Sequence, residues 1–271
     1  MEAKFVSKNG ELVESGDANI SVYNKALFFD FAVYSNIKVV GGKMFLPRLE
    51  IEKLLESAAA IGIKYEVERD ELVKWAEKLV EKNELKDALI RILLVGPEVD
   101  NEVQLFMFPV GLTFYPKQFY QQGVKLIIYK GERFFPTAKT KNLLMSYLAY
   151  QEAVKREALD ALLVDRDNNI IEGTRCSFYV IKGDELIVPP ASKTLEGITK
   201  KIILEIALQI LSVREADIPL ASITGYDEYF ISATTMKIMP VREIDGQVVA
   251  EQVGEKTREL QRLFAEYAEK T

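Results

Sequence analysis

The chain has 271 residues, 48% of them apolar, with 35 basic against 41 acidic side chains and a formal net charge of −6. That length admits two modest domains or one large one with a substantial core. No block of lysine or arginine interrupts the acidic balance, which argues against a nucleic-acid or membrane-surface partner.

One cysteine, Cys176, rules out an internal disulfide framework and a multi-cysteine zinc site. The absence of histidine removes Ser-His-Asp and Cys-His catalysis together with imidazole-ligated zinc, so no metal is expected. Acid–base chemistry near neutrality then falls to a lysine, carboxylate or tyrosine of shifted pKa, or to a bound cofactor. No apolar run approaches the roughly 20 residues of a membrane span, and "MEAKFVSKNGELVESGD" lacks the apolar centre of a signal peptide. A cytoplasmic enzyme or binding protein is expected.

Strands come first along the chain. "NISVYN", "AVYSNIKVV" and "KMFLP" read as extended, with "GGK" (41–43) as a hairpin turn. From Arg48 the period lengthens, and Ile51, Leu54, Leu55, Ala58 and Ile61 share a helix face. A second helix spans Asp70 to Lys82, and the strands "ALIRILLVG" and "EVQLFMFPVG" follow. Strands with helices packed on afterwards indicate an α+β layer. "PVGLTFYPKQFYQQG" breaks both periods with prolines and glycines. The expected division is a small domain over 1–112, a packed aromatic link over 113–121 and a larger domain over 122–271.

The second half opens with the strand "VKLIIYK" and continues through "FFPTAKTKNLL" into a helix over about 142–157. Its apolar residues Leu143, Leu144, Tyr147 and Leu148 predict packing into the domain. A meander follows: "ALLVD", "IIEGT", "SFYVI" and "LIVPP". A helix from about Thr199 is expected to bury Ile202, Ile203, Ile206 and Ile210. "EYFISAT" and "REIDGQVV" supply further strands, and "VGEKTRELQRLFAEYAEK" closes the chain as an amphipathic helix.

Four places hold chemistry-bearing residues. Lys139 stands at a strand-to-helix junction, where a lysine is ordinarily a solvated charge. Entry into a packed element would instead bury it, lowering an ammonium's pKa and making the amine nucleophilic. Glu172 in "IIEGT" either faces water at a strand end or sits among apolar neighbours and needs a partner. In "TLEGITKKIILEIA", Gly197 and Thr199 open a helix whose N-terminus suits phosphate, although threonine is also an ordinary cap. "ISATTM" ends a strand with Thr234 and Thr235, residues at home in any sheet.

Their order and spacing resemble the fold-type IV pyridoxal-phosphate enzymes: branched-chain aminotransferase, D-amino-acid aminotransferase and aminodeoxychorismate lyase. The resemblance runs nearly end to end, through "NGELVESGDANISVYNKALFFDFAVY", "GGKMF", "TAKTKNLL", "QEAVKREALDALLVD", "IIEGT", "LEGITK", "ISATT" and "PVREIDG". It implies an α+β fold with a small N-terminal α/β domain and a larger mixed, β-barrel-like domain carrying helices. It also implies pyridoxal 5'-phosphate as cofactor, small amino-acid and keto-acid substrates, and a homodimer.

By that resemblance Lys139 is the Schiff-base lysine and Lys141 a bystander. Glu172 pairs with the pyridine nitrogen, Gly197, Ile198 and Thr199 form the phosphate site, and Thr234 adds a further phosphate ligand. Tyr34 borders the substrate, and Arg91 resembles an arginine that meets a substrate carboxylate in branched-chain enzymes.

Several positions depart from the family pattern. Its His-x-x-Arg-Leu-x-x-Ser-Ala reads here "EIEKLLESA" (50–58), with Glu50 for the histidine and Lys53 for the phosphate arginine. Lysine keeps the charge but loses the bidentate fork, so either Lys53 or Arg175 is the expected cofactor anchor. Glu-Gly-x-x-x-Asn ends here in Ser177, and "LLVGPEVD" lacks an Arg-Gly common in D-amino-acid enzymes and lyases. The Lys-x-x-Asn spacing leans toward those two groups, whereas "FPTAK" and "IRILLVG" lean toward the branched-chain type.

The reading is a pyridoxal-phosphate aminotransferase of branched-chain or D-amino-acid type. The alternatives are an aminodeoxychorismate lyase releasing pyruvate and a non-catalytic protein of the same fold.

Overall fold

The computed structural model describes residues 3–97 and 103–270. The end of "LLVGPEVD" and the first residue of "EVQLFMFPVG" lie outside the described residues. The chain groups into two compact units, Met1–Thr113 with Ala138–Asn142, and Phe114–Thr137 with Leu143–Thr271. The short segment holding Lys139 thus belongs with the first unit, although in sequence it lies beyond the expected link.

The first unit is built from β1 (Phe5–Lys8), β2 (Glu11–Glu14), α1 (Lys25–Phe28), β3 (Ala32–Val40), β4 (Lys43–Phe45), α2 (Pro47–Ala60), α3 (Arg69–Lys82), β5 (Ala88–Val95) and β6 (Gln104–Gly111). Among the described residues its strands form one antiparallel sheet in the order β2-β1-β6-β5-β3-β4. Alternation decides which side of the sheet each residue takes. Ile37 and Val39 of β3 and Ile90 and Ile92 of β5 pack with Ile51 and Leu54 of α2 and Leu72 and Leu79 of α3. Tyr34, Asn36 and Lys38 lie on the other face with Arg91 and Leu93, which pair across the strands with Asn36 and Tyr34.

Two expectations change here. β1 and β2 are strands the sequence did not announce, because each is only four residues long. "NISVYN" is not a strand: the Asn24 Oδ1 accepts the Leu27 N–H at 3.2 Å and caps α1. That local bond gives the backbone an alternative to a sheet ladder.

The second unit contains α4 (Lys117–Gln122), β7 (Val124–Lys130), α5 (Leu144–Lys155), β8 (Asp160–Val164), β9 (Asn169–Gly173), β10 (Ser177–Lys182), β11 (Glu185–Val188), α6 (Ile198–Ala207), β12 (Ser212–Glu215), β13 (Ile218–Pro219), β14 (Glu228–Ala233), β15 (Lys237–Ile244), β16 (Gln247–Val248) and α7 (Glu255–Lys270). Strands run β10-β14-β15-β7-β8-β9 in space, and β9 pairs again with β10 through Glu172 and Ser177. That last pairing closes the strands into a barrel, which leaves no free edge between them. Its interior is apolar, with Leu126, Leu162, Phe178, Val180, Ile231 and Met239 buried together. Tyr115, Phe119 and Tyr120 of the aromatic stretch pack against the same cluster.

Helix α5 reverses the expected face. Leu144, Tyr147 and Leu148 are exposed, while Ser146, Ala149 and Ala153 are buried. Small side chains let the helix lie close on Ala161 and Leu163 of β8 and Ile171 of β9, and close packing over alanines wins over the larger residues. Ile210 lies past the end of α6 and is only half-buried. Among the described residues no helix is long and apolar enough to cross a membrane.

Candidate active site

In the first unit, residues 138–142 are held as an extra extended piece beside the start of β3. Thr140 bridges Val33 antiparallel, the Tyr34 N–H donates to the Lys139 carbonyl at 3.0 Å, and the Lys141 N–H donates to the Ala32 carbonyl at 2.9 Å. The Lys139 N–H donates to Ser57 Oγ of α2 at 3.1 Å. Ser57 in turn donates to the Lys53 carbonyl one turn earlier, at 2.7 Å. Every backbone polar group of Lys139 is therefore committed, and its side chain is aimed by the main chain.

The Lys139 ammonium lies 5.4 Å from the Tyr34 ring centroid, a cation–π distance. Among the described residues no carboxylate stands within ion-pair reach of it. Tyr34 and Lys139, the two residues expected to border substrate and cofactor, are thus brought together. Arg91 stands on the same sheet face as Tyr34, exposed, its Nε donating to Asn36 Oδ1 at 3.2 Å.

In the second unit, Glu172 sits at the barrel seam and is 5% exposed. One carboxylate oxygen accepts Arg133 Nε at 2.6 Å and the other accepts the Leu195 N–H at 3.1 Å. Glycine is required next to it: a Cβ on Gly173 would overlap the Cys176 sulfur, and the Gly173 N–H closes the turn onto the Cys176 carbonyl at 2.7 Å. Glu172, Ser177 and Ser232 face one another in a single row across β9, β10 and β14. Thr234 follows Ser232 by two residues, just past the end of β14. Ser177, at the family's asparagine position, is part of the seam itself.

The segment that donates to Glu172 leads directly into α6. Gly197 is the N-cap, and no side chain caps the helix. A Cβ built on Gly197 meets nothing within 4 Å, so the space beside this N-cap is open. Helix α6 packs on β14, the strand that Thr234 follows, within the unit that also holds Glu172. A carboxylate, an uncapped helix start with its glycine, and hydroxyls on the adjacent strand are the donor and acceptor types that a phosphorylated pyridine needs.

The two candidate anchors differ. Lys53 is buried, and its Nζ reaches Glu56 at 3.4 Å, a long contact. Arg175 is engaged: its guanidinium lies 4.1 Å from the Tyr150 ring centroid, its NH2 donates to the Leu159 carbonyl at 3.2 Å, and its Nε lies 3.7 Å from Asp160 Oδ2. Burial pushes the Asp160 carboxyl above the usual carboxylate range and the Cys176 thiol well above its own.

Three participants escape the sequence reading. Arg133 carries no local signal. Ser57 does carry one, as a serine in the apolar stripe of α2 between Leu54 and Ala58. Lys200 is the third, 3% exposed in the first turn of α6, with its ammonium on Thr194 Oγ1 at 3.0 Å and on Glu196.

An antiparallel sheet unit carrying the lysine, and a closed barrel unit carrying the acid and helix start, define a fold-type IV enzyme. The sequence profile of amino-transferase class IV matches residues 32–244, and the chain belongs to that family. It is 30% identical over 271 residues to the D-alanine aminotransferase of Staphylococcus epidermidis, covering 96% of each chain. It superposes on the crystal structure of the Escherichia coli branched-chain amino acid aminotransferase with a TM-score of 0.89 and 28% identity, covering 98% of this chain and 94% of the other. The fold also matches the branched-chain aminotransferase of the archaeon Thermoproteus uzoniensis with norvaline, at a TM-score of 0.86 and 24% identity, covering 98% and 95%. The chain is therefore a transaminase, an enzyme acting on amino-acid and keto-acid substrates. The lyase alternative finds no better support in these relatives.

Proposed function

We propose that the chain binds pyridoxal 5'-phosphate and transfers the amino group of a branched-chain amino acid to an α-keto acid. The observation that carries this reading is the presentation of Lys139 by a fully committed backbone over the Tyr34 ring. Pyridoxal phosphate, when bound, supplies an aldehyde for an amine and an electron-withdrawing ring. Lys139 is the residue that would hold it covalently, and its free amine would carry the proton from the substrate Cα.

Glu172 would accept a hydrogen bond from the ring N–H, and its charge would keep that nitrogen protonated and the ring electron-poor. The Ile198 and Thr199 N–H groups after Gly197, and the Thr234 hydroxyl, would hold the phosphate. Tyr34 borders the substrate, and Arg91 meets its carboxylate as a planar fork.

Lys53, rather than Arg175, is the cation at the phosphate in this reading. The partners already claiming Arg175 support this choice. Lys53→Ala is expected to raise the dissociation constant for pyridoxal phosphate by roughly tenfold or more, the scale of a lost hydrogen bond to a charged group. Arg175→Ala should leave it nearly unchanged. Titration of the apoprotein by absorbance or fluorescence decides between them.

The assembly is a homodimer of cytoplasmic location in this reading. The exposed Val22, Tyr23, Phe28 and Phe29 of the first unit, and Phe134, Leu144, Tyr147 and Leu148 of the second, support dimerisation, since such apolar surface favours a partner.

A second reading, a D-amino-acid enzyme, is favoured by the 30% identity to the D-alanine aminotransferase and by the Lys-x-x-Asn spacing. Single half-reactions of the pyridoxal-phosphate form with L- and D-amino acids separate the two. Loss of visible absorbance with L-leucine, L-isoleucine or L-valine supports the branched-chain reading. Loss with D-alanine alone replaces it with the second. A protein unresponsive to both series refutes both.

A further inference from the structure

Arg133 has no place in the reading given above, yet it touches the acid directly. It lies three residues past the end of β7, and its side chain is 12% exposed against 7% for Glu172. Nε donates to Glu172 Oε1 at 2.6 Å, and NH2 donates to the Pro136 carbonyl. The other oxygen of Glu172 is taken by the Leu195 N–H at 3.1 Å. One carboxylate, with its arginine, thus ties together the loop after β7, the barrel seam and the segment that opens α6.

We propose that Arg133 is a positioning residue, fixing the Glu172 carboxylate and the loop through Pro136 so that the acid offers the cofactor's ring nitrogen one fixed acceptor. The proposal rests on the pyridoxal-phosphate reading.

Three physical points carry it. A carboxylate held by one donor swings about its terminal torsion, a broad twofold well. Held by one donor at each oxygen it is fixed, and each oxygen still has a lone pair for a ring N–H. The loop gains little from side-chain burial, because Phe134 and Phe135 are exposed and stack edge-to-face on one another at 4.9 Å. Finally, a guanidinium serves Glu172 and the Pro136 carbonyl together from one planar group. An ammonium on a flexible stem keeps the charge without that fixed geometry.

The test uses the full chain with and without pyridoxal phosphate, as the parent, Arg133→Met, Arg133→Lys, Glu172→Gln and the double variant Arg133→Met/Glu172→Gln. Arg133→Met is expected to raise the dissociation constant on the order of tenfold, the scale at which groups supporting a ligating residue act. It should also shift the position of the bound cofactor's visible band. Arg133→Lys should fall between parent and methionine variant. In the Glu172→Gln background the methionine substitution should change affinity by less than about threefold, because the carboxylate it positions is gone.

Parent-like affinity and band position in Arg133→Met overturn the proposal. So does an equal affinity loss in both backgrounds, or a fall in melting temperature alone. Should Arg133→Met fail to fold, Arg133→Lys decides: unchanged affinity and band refute the role. A parent chain that binds no pyridoxal phosphate refutes the cofactor reading itself and this proposal with it. A parent that binds while Arg133→Met binds equally well refutes only the proposal.

Discussion

Lys139→Ala is expected to lower kcat/KM for transamination on the order of 10⁴-fold or more, while Lys141→Ala stays within about twofold of the parent. The lysines are one residue apart, so composition and local charge cannot separate them, but their surroundings do. Lys139 gives its N–H to Ser57 and its carbonyl to Tyr34, and its ammonium lies over the Tyr34 ring. Lys141 shares the backbone ladder through Ala32, but no ring lies under its ammonium among the described residues. In the proposed function, removal of Lys139 would delete both the covalent anchor and the proton carrier. Borohydride reduction followed by peptide mapping reads the anchor directly. A pyridoxyl adduct on Lys141, or an active Lys139→Ala protein, would reverse the assignment.

Glu172 should give the second large effect, with the two obvious substitutions failing in different ways. In Glu172→Ala the nearly buried Arg133 guanidinium loses the carboxylate that faces its Nε. Breaking such a pair from one side costs ~3–5 kcal/mol, or roughly 10 °C in the melting temperature of the apoprotein. Glu172→Gln keeps the shape, but Arg133 and the Leu195 N–H are both donors, so a single amide oxygen cannot replace both carboxylate oxygens. A smaller thermal loss is expected there, together with a fall in kcat of about 10²-fold or more from the missing charge at the ring nitrogen. Calorimetry of the apoprotein and steady-state rates of the loaded protein measure the two effects separately. A Glu172→Gln enzyme with parent-like kcat would remove the acid from its proposed role.

Much of this is legible in the chain itself, for identifiable reasons. The period-2 run of β3 and the 3.6-residue spacing of Ile51, Leu54 and Ala58 both bury large apolar side chains, and such patterns survive without tertiary knowledge. The Glu-Gly pair, the Gly-Ile-Thr helix start and the spacing from Lys139 to Asn142 resemble a known family, and the class IV match confirms that family.

What cannot be read depends on contacts between distant segments. Arg133 and Glu172 are 39 residues apart, and nothing local to "KGERFF" marks that arginine as half of a buried pair. Periodicity misplaces the face of α5 because large apolar residues outweigh alanines in any such argument. A helix lying flat on β8 needs the small side chains underneath. The short β1 and β2 strands carry too few residues for alternation to stand out.

The return of residues 138–142 to the first unit also bears on how this protein can be divided. A fragment stopping at Thr113 would omit the piece that bridges Val33, leaving the Tyr34 N–H and the Ala32 carbonyl as bare ladder groups. Such a fragment should self-associate through that ragged margin and would contain no reactive amine at the proposed position. Chimeras exchanging the two units need three crossovers, after 113, 137 and 142, and a single-junction fusion would transplant the lysine with the wrong half.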